Sequence, residues 1–134
     1  MAYQLFAGGQ TALAFHQDLY QPRVSANMLD KMRKNINPFS AIPESIEMGK
    51  KIYFGKGMCV SCHNRDGKGA FFPGHPPRDF TDIKWQELRS DGELMWVLKN
   101  GSPGTGMKAV VGKLITEEEG WRVIHFIRTF KGNK

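Results

Sequence analysis

Cysteine is scarce in this 134-residue sequence, which contains two. Two cysteines exclude a disulfide framework and a four-cysteine zinc site. Long apolar runs are also missing, because no stretch approaches the ~18 consecutive apolar residues of a membrane span. The sequence shows no convincing strand pattern and no internal repeat. It therefore predicts one helical domain, with or without an appendage.

Acidic residues are outnumbered, with 13 aspartates and glutamates against 19 lysines and arginines, and the formal net charge is +6. A basic surface can attract an acidic protein, a nucleic acid or an anionic membrane. The sequence lacks the aromatic–basic interleaving and the helix signature of a nucleic-acid-binding module. We therefore expect acidic protein partners and no nucleic acid.

Both cysteines lie in one motif, Cys59-Val60-Ser61-Cys62-His63, with the spacing C-x-x-C-H. This spacing is typical of covalent c-type haem attachment. Each thiol can bond one vinyl group of the same porphyrin, and the following histidine can take an axial site of the iron. A zinc site would need two further ligands, a thioredoxin-like pair would need a βαβ pattern, and a disulfide would leave His63 unexplained. The motif predicts one covalent haem on Cys59 and Cys62, with His63 as an iron ligand.

The second axial ligand is expected to be Met107, which lies in the turn-rich stretch Pro103-Gly104-Thr105-Gly106-Met107. It follows His63 by 44 residues, enough chain to reach the other face of the haem. Its loop lies between two predicted helices, so its side chain need not serve a helix face. A thioether favours ferrous iron, so His/Met ligation raises the reduction potential.

The other methionines and histidines are weaker candidates for this ligand. Met58 and Met95 are expected to serve packing. His125 is expected to be a packed or half-exposed helix residue, and His16 is expected to be exposed. His75, in a Pro-rich loop close to the motif, is kept as a minor alternative.

Residues 1–42 are predicted to be a partly helical extension. A short helix is expected over residues 12–20, ended by Pro22. A second helical stripe recurs every four residues at Val24, Met28, Met32 and Ile36. This stripe can fold back on its own domain or serve as a docking arm for a partner, because Met-rich faces adapt to varied partners.

The first fifteen residues make a poor signal peptide, because they lack a basic start and polar residues interrupt them. C-type haem is normally attached outside the cytoplasm. We therefore expect a periplasmic or otherwise extracytoplasmic protein, exported by a signal already removed or replaced by Met1.

Residues 43–134 are predicted to contain three helices and long loops. A helix starting at Pro43 should run to about residue 56, and Gly49 would let another helix approach closely. A Gly- and Pro-rich loop follows over residues 64–80. Capping boxes at Ser90 and Thr116 then predict a helix through residue 98 and a final one over 117–130.

This constellation resembles the monohaem class I cytochrome c family over residues 43–134. The resemblance is carried by the haem motif together with Pro43-Glu44-Ser45-Ile46, Gly49-Lys50-Lys51, Pro77-Arg78-Asp79-Phe80, Asp91-Gly92-Glu93-Leu94, Asn100-Gly101, the Met107 loop and the aromatic final helix. Two features depart from the family pattern. Lys108 stands where similar sequences often have proline after the axial methionine, and residues 1–42 are not covered.

The resemblance implies an all-α class I cytochrome c fold with three or four helices and long loops wrapped around one haem. It implies that the first and last helices cross near Gly49 and Tyr53, against Trp121 and Phe126. A proline carbonyl from the Pro76-Pro77 segment would accept a hydrogen bond from His63. Pro77, Arg78 and Trp96 would be haem-pocket contacts.

The implied function is electron transfer, in which one electron at a time passes between redox partner proteins through a saturated His/Met iron, without enzymatic activity. One alternative is a permanently bound cytochrome c subunit of a larger oxidoreductase, held through residues 1–42. A less favoured alternative is a haem sensor or enzyme with an open iron site. A set of basic residues is expected around the haem edge: Lys56, Arg65, Lys68, Lys108 and Lys113.

Overall fold

Six helices form in the residues that the computed structural model describes, which are 19–71 and 76–134. They are α1 (Ala26–Arg33), α2 (Pro43–Phe54), α3 (Val60–His63), α4 (Ile83–Leu88), α5 (Asp91–Asn100) and α6 (Glu117–Arg128). These two ranges contain no strand, and an isolated bridge joins Val111 to Ile115. The predicted all-α fold is confirmed.

Several predicted features lie wholly or partly outside these ranges. His16 and His75 are not among the described residues. The predicted helix over residues 12–20 falls outside them except for its last two positions, which form a turn.

Helices α5 and α6 begin at the capping boxes that the sequence predicts. The Ser90 hydroxyl accepts from the Glu93 amide at 3.2 Å, and the Glu93 carboxylate accepts from the Ser90 amide at 2.8 Å. Thr116 and Glu119 form the same reciprocal pair at 3.2 and 2.9 Å. Each box satisfies two amides near a helix start, where no intrahelical acceptor exists.

The main helix crossing joins α2 to α6 at Gly49. A Cβ at this position would lie 2.1 Å from the carbonyl oxygen of Arg122, so no larger residue fits without moving a backbone. One turn further along α2, the buried Tyr53 ring meets Phe126 edge-on with centroids 5.1 Å apart. This is the crossing that the family resemblance implies.

The core around this crossing is aromatic and continues toward the haem motif. Phe130 contacts Tyr53 and Phe126, with ring centroids 5.5 and 5.1 Å apart. Phe80 stacks against Phe130 at 6.2 Å on its far side. Such contacts contribute about 0.5–1.5 kcal/mol each beyond burial. They connect α2 and α6 to the loop segment beside His63.

The described part of the extension lies on the rest of the chain. Helix α1 packs on α5 so closely that a Cβ at Gly92 would lie 1.8 Å from the carbonyl oxygen of Met32. Beyond α1, Asn37 donates to the Trp121 carbonyl at 2.9 Å, and His125 Nε2 donates to the Phe39 carbonyl at 2.7 Å. His125 is therefore a packed helix residue, as expected.

The first described helix is shorter than its apolar stripe suggested. Val24 is buried just before α1, whereas Ile36, three residues beyond its end, is 81% exposed. The helix ends at Arg33, before a stretch with Asn35, Asn37 and Pro38, residues that favour turns.

Helix α4 was not predicted. Its N-cap is Asp82, whose carboxylate accepts from the Trp85 amide at 3.2 Å, and the helix itself has six residues. Trp85 and Gln86 are buried. Six residues are too few for a helical period to stand out in a sequence.

No helix in the described ranges is long and apolar enough to cross a membrane.

Candidate haem site

The haem motif is a single helical turn, α3, placed directly after α2. The connecting turn is tight: the Gly57 amide donates to the Ile52 carbonyl at 3.0 Å, and Met58 has a left-handed φ of 57°. Cys59 precedes the turn and Cys62 lies within it, so the two thiols are neighbours on one side of a helix. Both thiols are free; Cys59 is half-buried and Cys62 is exposed.

The surroundings of Cys59 are apolar enough to keep its thiol protonated. Burial raises the pKa of Cys59 to about 11.

Among the described residues, no group of three or more His, Cys, Asp or Glu side chains is arranged to hold a metal ion. The zinc alternative thus lacks the further ligands that it needs in this part of the chain.

The His63 side chain is buried and oriented. It is 8% exposed, and its Nδ1 donates to the carbonyl oxygen of Arg78 at 3.1 Å. Its ring stacks on Phe80 with centroids 4.2 Å apart and planes 17° from parallel. Burial lowers the pKa of His63, which favours the neutral imidazole that binds metals.

The acceptor for His63 differs from the expected proline carbonyl. The Pro77 carbonyl oxygen instead faces Gly69, where it would lie 3.1 Å from a Cβ. The next carbonyl, that of Arg78, turns toward the imidazole. The expected proline acceptor is therefore wrong, and the acceptor is the carbonyl of the residue that follows Pro77.

The end of the motif is tied to α2 and to the loop that follows it. The buried Tyr53 hydroxyl donates to the Asn64 carbonyl at 2.6 Å. Asn64 has a left-handed φ of 62°, which ends α3. The Ala70 amide then donates to the Cys62 carbonyl at 2.8 Å. These contacts hold the cysteine turn in one conformation.

Met107 ends a closed turn. Its carbonyl accepts from the Ser102 amide at 2.9 Å, and its amide donates to the Thr105 hydroxyl oxygen at 3.2 Å. Gly101 has a φ of 75°, and a Cβ there would lie 2.7 Å from the Met107 carbonyl oxygen. The Met107 side chain is half-buried against the hydrophobic core. The loop therefore presents its thioether at the core.

One buried polar atom near Met107 has no protein partner. The Ser102 hydroxyl is 7% exposed as a residue and makes no hydrogen bond among the residues described. Such orphaned groups cost about 1–3 kcal/mol unless something satisfies them. Two free thiols within one helical turn, followed by an imidazole with one nitrogen committed, fit the covalent attachment of a porphyrin with its iron.

The remaining predicted site residues differ in how far their side chains are buried. Pro77, Arg78 and Trp96 are each half-buried, so direct contact with a haem stays a prediction for all three. Met95 is buried in the core, as expected for packing. Met58 was also expected to pack, and this was wrong: its left-handed backbone leaves the side chain 56% exposed.

Sequence reasoning missed two residues around His63. Phe80 was recognised as part of a family motif, but its stacking on the imidazole was not anticipated. Gln86 donates to the Phe80 carbonyl, a contact that the sequence does not predict. A lone glutamine in a short helix carries no sequence signal for such a role.

The helices crossing at Gly49, together with the C-x-x-C-H turn and its oriented histidine, define a c-type cytochrome domain. The family model described as cytochrome c oxidase, cbb3-type, subunit III matches residues 44–127, and the chain belongs to this family. No curated protein matches the chain.

A solved structure from Kuenenia stuttgartiensis, a reducing HAO-like protein complex, contains a similar chain. The two are 27% identical with a TM-score of 0.58, and the match covers 70% of this chain. It covers 47% of the Kuenenia chain, so the present sequence spans about half the length of that neighbour. The predicted family, covalent c-type haem and electron-transfer function are thereby confirmed.

Proposed function

We propose that Cys59 and Cys62 hold the porphyrin through thioethers, and that His63 and Met107 are the axial ligands of its iron. The observation that carries this proposal is the orientation of His63. Its Nδ1 is committed to the Arg78 carbonyl, so Nε2 is the nitrogen left for a metal. The motif places that imidazole directly after both thiols.

When bound, the haem would accept and release one electron, because its iron can be ferric or ferrous. The chain supplies two strong-field ligands and an apolar core beside them. If His63 and Met107 both bind the iron, no substrate would reach it, and the domain would carry electrons without enzymatic activity. The Met107 thioether favours the ferrous state and raises the potential.

A visible spectrum of both redox states, followed by a carbon monoxide challenge, tests this assignment. We expect a methionine–iron charge-transfer band in the oxidised protein and no carbon monoxide binding after reduction. Ready binding of carbon monoxide would contradict the saturated iron and favour a sensor or enzyme with an open site.

The proposed partners are redox proteins with acidic docking surfaces. All five expected basic residues are exposed. Lys56 pairs with Glu119, and the Arg65 guanidinium lies over the Phe54 ring at 5.4 Å from its centroid. Lys68, Lys108 and Lys113 make no such contact within the described residues, so the attraction to an acidic partner rests mainly on these three lysines.

A second candidate is a cytochrome subunit bound permanently within a larger oxidoreductase. The observation that favours it is the similarity to a chain of a multi-protein complex. Size-exclusion chromatography of native extract distinguishes the two: elution of the haem in a heavy complex supports the subunit, and elution near the 15.2 kDa of the chain supports a free carrier.

We also propose an extracytoplasmic location, because c-type haem is normally attached there. Cell fractionation tests it, since haem-stained protein in the cytoplasmic fraction would contradict export.

We further propose that residues 43–134 form the haem domain and residues 1–42 an extension. The described part of the extension lies on the haem domain. If the extension also serves as a docking arm, some of its residues must contact a partner as well.

A further inference from the structure

The ring of His63 is held by a short loop segment, residues 78–80. Its Nδ1 donates to the Arg78 carbonyl at 3.1 Å, and its face stacks on the Phe80 ring at 4.2 Å between centroids. A displacement of this one segment would change both contacts together.

Gln86 on α4 holds this segment in place. Its Nε2 donates to the Phe80 carbonyl at 2.7 Å and to the Ile127 carbonyl on α6 at 3.0 Å. The residue is 4% exposed, so water does not replace these bonds easily. The Phe80 amide donates to the Gly67 carbonyl at 2.8 Å. Both backbone polar groups of Phe80 are therefore bonded, one to the loop after the motif and one to Gln86.

Arg128 determines which way the Gln86 amide faces. Its Nη1 donates to Gln86 Oε1 at 2.8 Å and to the Gln86 carbonyl at 2.7 Å, while its Nε donates to Asp91 at 2.9 Å. Turning the amide over would place its oxygen against two carbonyl oxygens and its NH₂ against a guanidinium, which only donates. The Gln86 donors are thus directed at Phe80 and Ile127.

We propose that Gln86 is a positioning residue for the axial histidine. By holding residues 78–80, it sets the strength of the hydrogen bond between His63 and the Arg78 carbonyl, and through that bond the reduction potential of the haem. A hydrogen bond at Nδ1 makes the imidazole more basic, which stabilises ferric iron and lowers the potential. This inference rests on the proposed ligation by His63.

The test is Gln86→Leu in the haem-loaded protein, a change that keeps much of the side-chain volume and removes all of its polar contacts. The midpoint potential should rise, by up to about a tenfold change in the redox equilibrium, which is about 59 mV for one electron. The Nδ1 proton of His63, followed by NMR in the reduced protein, should exchange with solvent faster than in the wild type.

Asn37→Leu is the matched control. Asn37 also donates its amide to a carbonyl of α6, that of Trp121, at 2.9 Å, and it accepts from the Phe39 amide at 3.0 Å. These bonds do not involve residues 78–80. Asn37→Leu should lower the stability to urea while leaving the potential and the His63 proton exchange unchanged.

The proposal is overturned if Gln86→Leu loses stability as Asn37→Leu does but keeps the wild-type potential and His63 proton exchange. If Gln86→Leu does not retain haem, Gln86→Met is measured instead. Failure of both variants beside a folded Asn37→Leu would show that Gln86 serves only the fold, and would also reject the proposal. A wild-type NMR spectrum without an axial His63 would instead refute the ligation itself, so the two failures are distinguishable.

Discussion

The two ring nitrogens of His63 have different roles, and the fold assigns them. Nδ1 donates to the Arg78 carbonyl, and burial lowers the pKa of the ring so that the neutral form persists. A neutral imidazole with Nδ1 protonated has its lone pair on Nε2. The contacts of His63 within the chain therefore favour the tautomer that the proposed iron ligation requires.

The same reasoning at Met107 predicts the effect of removing its sulfur. Met107→Ala should abolish the methionine–iron band, allow carbon monoxide to bind the reduced protein and lower the midpoint potential, because the soft ligand that favours ferrous iron is gone. Optical spectra and a redox titration measure all three. Met48→Ala, a partly exposed position on α2, is the control and should change none of them. A Met107→Ala spectrum identical to the wild type would assign the sixth ligand elsewhere.

Tyr53 predicts a specific dependence of stability on pH. Burial is the main reason that its pKa is raised in the folded protein, and its hydroxyl donates to the Asn64 carbonyl at 2.6 Å. The unfolded chain releases the phenol proton near pH ~10, whereas the folded chain retains it. Unfolding therefore becomes easier as the pH rises beyond this point.

Tyr53→Phe removes both the hydrogen bond to the Asn64 carbonyl and the phenol group that titrates. At pH 7 it should cost about 1 kcal/mol for the lost hydrogen bond, and this difference should shrink as the pH rises above ~10 because only the wild type then loses stability from this group. Urea unfolding of both reduced proteins from pH 7 to 11 measures the difference. A difference that stays constant over the whole range would contradict a raised pKa for Tyr53.

At the scale of secondary-structure elements, close backbone contacts decide which helices pair. Gly49 brings α2 onto α6, and Gly92 brings α5 onto α1. The second contact is informative because it joins the extension to the haem domain. It indicates that the described extension is part of the folded unit.

Gly92→Ala tests whether α1 packs on α5, because the packing decides whether the substitution raises or lowers the free energy of unfolding. In a helix without neighbours, alanine would stabilise by about 0.5–1 kcal/mol relative to glycine. Here its Cβ would meet the Met32 and Asn35 carbonyl oxygens, so we expect a net loss of about 1–3 kcal/mol in urea unfolding.

The control is Gly106→Ala, where a Cβ meets nothing within 4 Å. It should leave stability nearly unchanged. A stabilised Gly92→Ala protein would mean that α1 is not held against α5 in solution.

At the scale of the whole molecule, the net charge of +6 affects association with other molecules more than it affects folding. Exposed charges steer encounter rates, and salt screens them over a Debye length of about 8–10 Å. Lys108 adjoins the proposed axial ligand, and Lys68 lies five residues after His63. We expect both to act on a partner that approaches the proposed haem site.

Oxidation of the reduced protein by small complexes measures this charge directly. The rate with anionic ferricyanide should fall severalfold in a Lys68→Glu, Lys108→Glu double variant and should also fall with added salt. A cationic cobalt complex should show the opposite trends. Lys134→Glu, at the exposed end of the chain, is the control. Equal rates for the double variant and the wild type would place the electron exit away from these lysines.

Much of this protein could be predicted from local sequence patterns. The C-x-x-C-H spacing predicted the covalent haem because attachment needs two thiols and an imidazole within one helical turn. The capping boxes at Ser90 and Thr116 predicted two helix starts because both partners lie three residues apart. Gly49 predicted a close crossing because glycine lacks the Cβ that would keep two backbones apart.

Only the tertiary structure decided contacts between residues distant in the chain. The carbonyl that orients His63 belongs to Arg78, fifteen positions away, and its segment depends on Gln86 and on α6. The folding of the extension onto α5 likewise required Gly92 to meet Met32. Spacing along a chain determines which groups share a turn, whereas long-range partners depend on how whole elements pack, which no short pattern encodes.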